Sequence, residues 1–230
     1  MDVAERFAQL TTPLIADAAL RLGLTLRVAP AGLQAVHRTL RRVAGRVAPA
    51  VHRGSVDVFL EANARAARGD VLVIDNQGRR DEGCIGDLAA LDAWSAGIAG
   101  VLVWGCHRDT ADLREIALPV FSYGACPAGP QRLEPPSERA PLFGDAPFGA
   151  ADYVFIDDDG AIFIEASRVA EVLDAAQEIA RVERRQAALV REGRSLRAQL
   201  RFDEYLALRE RDPAYTLRRH LLTTGGAVEV

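Results

Sequence analysis

Two segments of the chain carry side chains that could bind a cation and an anionic substrate. Asp87 follows Gly86, and after twenty intervening residues Arg108 and Asp109 stand next to each other. Carboxylate oxygens are the ligands that hard divalent cations prefer, so Asp87 and Asp109 could bind one directly or through water. The guanidinium of Arg108 is a forked donor that matches a carboxylate or an enolate oxygen. Together these groups suit the chemistry of a 2-oxo acid.

The backbone around Asp87 adds a possible anion site. Glycine precedes a predicted helix start here, so the amides of Gly86–Ala89 would point outward at the positive end of the helix. These amides could hold the carboxylate of a small substrate. Simpler interpretations stay open: Asp87 could be a helix-terminal acid, and Asp109 could be a helix N-cap beside a solvated Arg108.

The elements that must position both segments alternate along the chain. Apolar, β-branched runs predict buried strands over 70–75, 100–104 and 119–123, with helices over 86–96 and from Asp109 onward. This succession indicates parallel crossovers in an α/β domain. Since the two segments follow successive strands, they should open at one edge of the sheet, where α/β sheets bind ligands.

The rest of the chain predicts an α/β domain over 1–190 and a C-terminal helical extension over 191–230. The predicted elements are helices over 3–10, 14–22 and 56–68 (with Ser55 as N-cap), short strands within 25–51, a proline-rich loop over 124–149, a hairpin over 153–164, and helices over 169–180 and 196–211 (with Ser195 as a possible cap).

Composition excludes several classes of protein. All 28 basic residues are Arg, so chemistry that needs a lysine amine, such as a Schiff base or a Walker A loop, is excluded. The net charge of −4 argues against a general nucleic-acid binder. No apolar run approaches the roughly 20 residues that cross a bilayer, and the N-terminus lacks a signal-peptide pattern. We therefore expect a cytoplasmic protein that binds neither membrane nor nucleic acid.

Several motifs resemble those of the RraA-like family, and within it the class II 4-hydroxy-4-methyl-2-oxoglutarate/4-carboxy-4-hydroxy-2-oxoadipate aldolases. The similar motifs are TPLIADAALRLG at 12–23, GDVLVID at 69–75, GDLA at 86–89, the segment 100–109, PVF at 119–121 and DDDG at 157–160. The Asp-x20-Arg-Asp spacing is the specific one, because the aldolases of the family carry it and its ribonuclease regulators generally do not.

The resemblance implies a swivelling-domain-type β/β/α sandwich, assembled as a homotrimer or homohexamer with active sites between subunits. It also implies a glutamate from the C-terminal region of a neighbouring subunit. Glu183 stands at about the right place, with Glu178 and Glu192 as alternatives, and a solvated helix charge is the other interpretation of Glu183.

The resemblance further implies roles for the site residues. Asp109 would ligate Mg²⁺ or Mn²⁺, and Arg108 would bind the pyruvate moiety and stabilise its enolate. Asp87 would orient metal-bound water, and backbone amides near Leu88 would hold the carboxylate. The chain is then expected to be a metal-dependent lyase that cleaves a 4-hydroxy-2-oxo acid to pyruvate through a metal-bound enolate, and to decarboxylate oxaloacetate through the same enolate.

Two alternatives remain: a non-catalytic regulatory binding protein of the RraA type, and a lyase of the family with a different substrate. Trp104, His107 and Cys84 depart from the family pattern at or beside the expected pocket and favour a different substrate. His107 could act as an extra acid or base. The run Asp157–Asp159 could be a second metal site or simply the acids of a tight turn.

Overall fold

The computed structural model describes residues 2–37, 39, 42–135 and 139–224. The helices are α1 (Val3–Phe7), α2 (Thr12–Arg21), α3 (Asp57–Arg65), α4 (Asp87–Ser95), α5 (Thr110–Leu113), α6 (Val169–Arg191), α7 (Leu196–Gln199), α8 (Phe202–Arg211) and α9 (Leu217–Thr224). The strands are β1 (Arg27–Val28), β2 (Gln34–Ala35), β3 (Val43–Val51), β4 (Val71–Asp75), β5 (Gly83–Ile85), β6 (Gly100–Trp104), β7 (Cys106–His107), β8 (Val120–Ser122), β9 (Leu142–Phe143), β10 (Ala146–Pro147), β11 (Asp152–Asp157) and β12 (Gly160–Glu165).

The described residues group into two compact units. One lies within Met1–Pro13 and Leu26–Ala170, and the other within Leu14–Thr25 and Glu171–Val230. The first unit contains every strand. The predicted boundary at residue 190 stays a prediction. None of the described helices is long and apolar enough to span a membrane.

An eight-stranded sheet forms the first unit, in the order β1-β12-β11-β3-β4-β6-β8-β2. β3, β4, β6 and β8 are parallel, as the alternation of strands and helices predicts. β3 joins the two halves of the sheet: Val43–Arg46 pair antiparallel with β11, and Val47–Val51 pair parallel with β4. The carboxyl ends of β3, β4 and β6 therefore meet at one edge.

Both faces of the parallel strands are buried, which explains why their sequences are continuously apolar. Leu72 and Ile74 of β4 pack on one face with Phe59 of α3. Val71 and Val73 pack on the opposite face, against an aromatic cluster that includes Phe143, Phe148 and Phe163. The sheet thus has helices on one face and curled β structure on the other.

Some predicted local features are wrong. Ser55 is not the N-cap of α3, because Val56 occupies the cap position without a side-chain capping bond. The predicted helix over 196–211 is two helices, broken where Arg201 adopts a left-handed backbone with φ of 52°. Ser195 does cap α7, since its side chain accepts a hydrogen bond from the Ala198 amide. The loop over 124–149 contains the short pair β9–β10.

The second unit is helical. α6 carries one apolar stripe, with Val172, Leu173, Ala176, Ile179 and Ala180 buried. α8 and α9 contribute Tyr205 and His220 to a group of aromatic rings, and Nε2 of His220 lies 3.0 Å from the Leu200 carbonyl oxygen.

Candidate functional site

The chain segments that follow β4 and β6 are joined by a small ladder of their own. β5 and β7 form a separate two-stranded parallel sheet, with Gly83 opposite Cys106 and Ile85 opposite His107. The Arg108 amide donates to the Ile85 carbonyl oxygen at 2.9 Å and extends the ladder by one bond. The two predicted site segments therefore lie side by side.

Asp109 and Arg108 both lie against the backbone of Gly86. A Cβ atom placed on Gly86 would be 2.2 Å from Oδ2 of Asp109 and 3.2 Å from Nε of Arg108. Nε of Arg108 also donates to Oδ2 of Asp109 at 3.2 Å. Any side chain at position 86 would occupy the space taken by the ion pair, so this contact requires glycine there.

Asp109 occupies the N-cap position of α5 but makes no side-chain capping bond there. Its backbone is left-handed, with φ of 56°, a conformation that aspartate tolerates better than most residues. The carboxylate instead meets Arg108. Asp109 is thus the N-cap residue of α5 by position, as the simpler interpretation has it, but its carboxylate does not cap the helix.

Glycines also surround the side chain of Arg108. A Cβ atom on Gly83 would be 2.8 Å from Cβ of Arg108, and one on Gly129 would be 2.8 Å from Nη1. The Arg108 side chain remains 46% exposed and that of Asp109 34% exposed. Both charged groups are thus held in place and still open to a ligand.

A cavity of about 290 Å³ is lined by five of the predicted residues, and Asp109 is not among the residues that line it. Gly86, Asp87, Leu88, Ala89 and Arg108 all line it. α4 begins at Asp87, with Gly86 at the N-cap position and no side-chain capping bond. Because the first-turn amides of a helix have no partner within the helix, these amides are available to an anion in the cavity.

The carboxylates near Gly86 suit a hard cation that keeps several water ligands better than a site in which protein side chains supply every ligand. Asp87 follows Gly86 in the chain, and Asp109 contacts it in space. Among residues 2–37, 39, 42–135 and 139–224, no group of three or more His, Cys, Asp or Glu side chains is placed to hold a metal ion. Mg²⁺ is commonly bound through one or two carboxylates while it keeps several waters. Asp87 and Asp109 are ligands of the type that such an ion takes, and Asp87 is the one of the two that lines the cavity.

The three glutamates considered for the metal site lie in or just after α6, in the second compact unit. Glu183 and Glu192 are exposed. Glu178 forms an ion pair with Arg181 at 2.6 Å.

His107 is fully occupied by neighbours within the fold. It is buried, with Nδ1 2.7 Å from Oγ of Ser122 and Nε2 2.9 Å from Oγ1 of Thr110. Burial, with the nearby charge of Arg114, lowers the pKa of His107. The ring thus connects β8 to α5 behind the site and leaves neither nitrogen free to act as an acid or base.

Cys84 and Trp104 lie in different surroundings. Cys84 lines the cavity, and burial, assisted by the charge of Glu82, raises the pKa of its thiol, which stays protonated. Trp104 is not among the residues that line this cavity. It packs edge-on against Tyr123, with ring centroids 4.8 Å apart, on the aromatic face of the sheet.

The acidic run at 157–159 forms a turn. Oδ1 of Asp157 accepts hydrogen bonds from the Asp159 amide at 3.0 Å and from Oγ1 of Thr12 at 2.6 Å. Oδ2 accepts one from the Thr12 amide at 2.7 Å. Both oxygens of the Asp157 carboxylate therefore hold the turn and the start of α2 in place, as the turn interpretation predicts.

His52 also lines the cavity, although no motif in the sequence points to it. His52 directly follows β3 and is completely buried, and its amide donates to the Asp75 carbonyl oxygen at 2.9 Å. Its Nδ1 lies 2.8 Å from Oδ1 of Asn76 and 3.8 Å from Oε1 of Glu82. Nε2 has no hydrogen-bond partner in the part of the chain that the structure describes. The position of His52 at the carboxyl end of β3 is the signal that could have identified it. The sequence of residues 25–51 predicts short strands but does not show where this strand ends.

Solved structures share this architecture. A protein from Pseudomonas syringae pv. tomato superimposes with a TM-score of 0.72 and 22% identity, over 84% of this chain and 94% of its own. Streptomyces coelicolor RraAS2, described as an unusual member of the RNase ES inhibitor RraA protein family, superimposes with a TM-score of 0.68 and 25% identity, over 79% of this chain and 93% of its own. The predicted fold class, a β/β/α sandwich with C-terminal helices, is confirmed.

Sequence comparison places the chain in a family. A relative from Xanthomonas campestris pv. campestris strain B100, named as a candidate 4-hydroxy-4-methyl-2-oxoglutarate aldolase, is 32% identical over 106 residues, which are 46% of this chain and 64% of the relative. The chain spans less than two thirds of the length of the curated relatives it matches. The family model described as Aldolase/RraA matches residues 12–163, so the chain belongs to the RraA-like family.

Proposed function

We propose that this protein is a divalent-metal-dependent lyase that cleaves the carbon–carbon bond of a 4-hydroxy-2-oxo acid and releases pyruvate. The approach of Arg108 and Asp109 to Gly86 carries the proposal, because it joins a guanidinium and a carboxylate to the start of α4. Asp87 lines the same cavity as Arg108. The names of the curated aldolase relatives agree with this assignment.

The roles proposed for the residues follow from their chemistry. The amides of α4 near Leu88 hold the substrate carboxylate. Arg108 donates to the oxygen that becomes negative when the C3–C4 bond breaks and its electrons form the enolate of pyruvate. Asp87 orients the water that removes the proton from the C4 hydroxyl, and protonation of the enolate at C3 then gives pyruvate. Asp109 would hold a cation such as Mg²⁺ or Mn²⁺, which would supply Lewis-acid polarisation of the 2-oxo group.

Oxaloacetate tests the proposal directly, since its decarboxylation passes through the same enolate. The protein with Mg²⁺ or Mn²⁺ should release pyruvate from oxaloacetate well above the rate of the metal alone. Excess EDTA should reduce the rate to that background, and added metal should restore it. The measurement is lactate dehydrogenase-coupled pyruvate formation, and equal rates with and without protein would contradict the lyase assignment.

A second function remains a candidate because the described residues supply fewer than three side chains for a metal and because RraAS2, a solved relative, is described as a member of a ribonuclease-inhibitor family. A non-catalytic binding protein on the same fold would show no metal-dependent turnover of any 2-oxo acid. The absence of turnover in the oxaloacetate experiment would therefore favour this alternative.

A neighbouring subunit could complete the metal site. We propose that the protein assembles as a homotrimer or homohexamer. In this assembly the exposed Glu183 of one subunit completes the metal site at Asp109 of the next. A cyclic arrangement of this kind places the same pair of surfaces at every interface.

Mixed assemblies test whether sites are shared between subunits. Asp109→Asn and Glu183→Gln should each be nearly inactive alone. Co-expression of the two variants should restore up to about a quarter of wild-type activity, because one site in four of a randomly mixed ring combines the intact residue of each subunit. Assemblies of each variant with itself are the controls. A mixture no more active than its components would exclude sharing through Glu183.

A further inference from the structure

Arg108 and Asp109 lie in a turn between β7 and α5. The start of the turn is tied to the β5–β7 ladder, because the Arg108 amide donates to the Ile85 carbonyl oxygen at 2.9 Å. Among the described residues, however, no backbone hydrogen bond crosses the turn from His107 to Thr110. Any hydrogen bond that closes the turn must therefore come from side chains.

A hydrogen bond between two side chains closes the turn. Nε2 of His107 lies 2.9 Å from Oγ1 of Thr110. Arg108 and Asp109 are the two residues between these partners, so the bond spans the pair of charged groups that approach Gly86. The His107–Thr110 bond therefore constrains the segment of backbone from which both charged side chains project.

The neighbours of His107 set the direction of this bond. Nδ1 lies 2.7 Å from Oγ of Ser122 in β8. Oγ of Ser122 donates its own proton to the Gly124 carbonyl oxygen at 3.2 Å, so it accepts the proton of Nδ1. Nε2 of the neutral ring then accepts a hydrogen bond from the Thr110 hydroxyl. The first residue of α5 is thus connected through one imidazole ring to a strand of the large sheet.

The backbone of Asp109 is the part of the turn that needs such a constraint. Its φ of 56° is left-handed, which is less favourable than the right-handed conformation for every residue except glycine. Such a conformation persists when the surrounding structure holds it in place. In this conformation the carboxylate lies against Gly86 and makes no capping bond to α5. A change in the backbone at residue 109 would therefore turn the carboxylate away from Gly86.

We propose that His107 and Thr110 are positioning residues, whose hydrogen bond holds Asp109 in its left-handed conformation and so keeps its carboxylate beside Gly86, where it would bind the metal. This inference rests on the proposed lyase function and adds to its site two side chains that need touch neither substrate nor metal. The departure of His107 from the family pattern then serves the geometry of the site, in place of acid–base chemistry.

Thr110→Val tests the bond, since valine keeps the branched shape and removes the hydroxyl. The dissociation constant of Mn²⁺, measured by electron paramagnetic resonance of the free ion, should rise about tenfold, and kcat/KM for oxaloacetate should fall by a similar factor. Thr110→Ser keeps the hydroxyl and should stay within about twofold of wild type in both. A merely structural role would lower the melting temperature of Thr110→Val and leave its Mn²⁺ affinity unchanged, which would overturn the inference.

Thr223→Val is the matched control. It also removes a threonine hydroxyl that donates a hydrogen bond, here to the His220 carbonyl oxygen at 2.7 Å within α9 of the second compact unit. Mn²⁺ affinity and kcat/KM should both stay at wild-type values. An equal loss in Thr223→Val and Thr110→Val would show a general effect of the substitution and would overturn the inference.

His107→Asn tests whether the ring and the hydroxyl act together. Asparagine can still donate to Ser122 but is too short to reach Thr110. We expect an increase of about tenfold in the Mn²⁺ dissociation constant. Addition of Thr110→Val should change it by less than about twofold more, because the same bond is already lost. Effects that multiply in the double variant would show that the two side chains act independently and would overturn their joint role.

Crystal structures of Thr110→Val and Thr110→Ser separate this inference from the lyase proposal. The backbone at residue 109 should leave the left-handed region in the valine variant and keep it in the serine variant. If wild type forms pyruvate while Thr110→Val keeps its Mn²⁺ affinity and the conformation of Asp109, the inference fails and the lyase stands. If wild type neither binds Mn²⁺ nor forms pyruvate, the lyase proposal fails. The two structures then decide whether the bond positions the carboxylate: a changed conformation only in the valine variant supports it, and any other result overturns it.

Discussion

Asp109→Asn should reduce metal-dependent pyruvate release from oxaloacetate by on the order of a thousandfold, because the proposed metal loses its charged ligand and several kcal/mol of Lewis-acid stabilisation. Asparagine has nearly the same shape and tolerates the left-handed backbone of residue 109 at least as well. The variant should therefore fold normally. Initial rates across a metal titration, together with the melting temperature, measure both effects.

Asp112→Asn provides the matched control for this change. Asp112 lies on the same short helix α5 and its side chain is exposed. Unlike Asp109, it is not among the residues that approach Gly86, so wild-type rates are expected. If the rates of Asp109→Asn stay within threefold of wild type at every metal concentration, Asp109 is not a metal ligand.

Gly86→Ala should lower kcat/KM by about a hundredfold, the scale expected when catalytic groups move by about 1 Å. The backbone at Gly86, with φ of −129° and ψ of −167°, is extended and open to any residue. The effect must therefore come from the new methyl group, which would stand 2.2 Å from Oδ2 of Asp109 and push the ion pair away. Kinetics with oxaloacetate at saturating metal measure the loss.

Gly149→Ala is the corresponding control for the glycine substitution. A Cβ atom on Gly149 would have no heavy atom within 4 Å, so activity and stability should stay unchanged. If Gly86→Ala retained full activity, the close approach of Asp109 to the start of α4 would have no functional importance.

The sequence was sufficient to predict where the two site segments meet. The β-branched runs at 71–75 and 100–104 are strands within a residue of their predicted ends. Because parallel neighbours end at the same edge, the positions of Asp87 and Arg108 beside one cavity followed from the crossover pattern. The metal, the substrate and the contribution of Glu183 depend on groups outside a single chain and stay predictions.

Other features depend on packing that a linear pattern does not reveal. β5 and β7 have three and two residues, too few to show a period. Trp104 was expected to line or flank the pocket because it departs from the family pattern just before Gly105. In a strand, however, residue 104 shares a face with Leu102, and that face packs on the aromatic cluster. His52 became significant only when three separate segments placed Asn76, Glu82 and Phe59 around it.

The small β5–β7 ladder has an evolutionary consequence. Its two strands hydrogen-bond to each other and belong to a sheet separate from the eight-stranded one. Gradual divergence that alters the twist of the large sheet can therefore leave the spacing between Gly86 and Asp109 unchanged. The part of the cavity lining that α3 supplies, with Val56 and Leu60, can meanwhile diverge on its own, so descendants of this chain can acquire new substrates without changing Arg108 and Asp87.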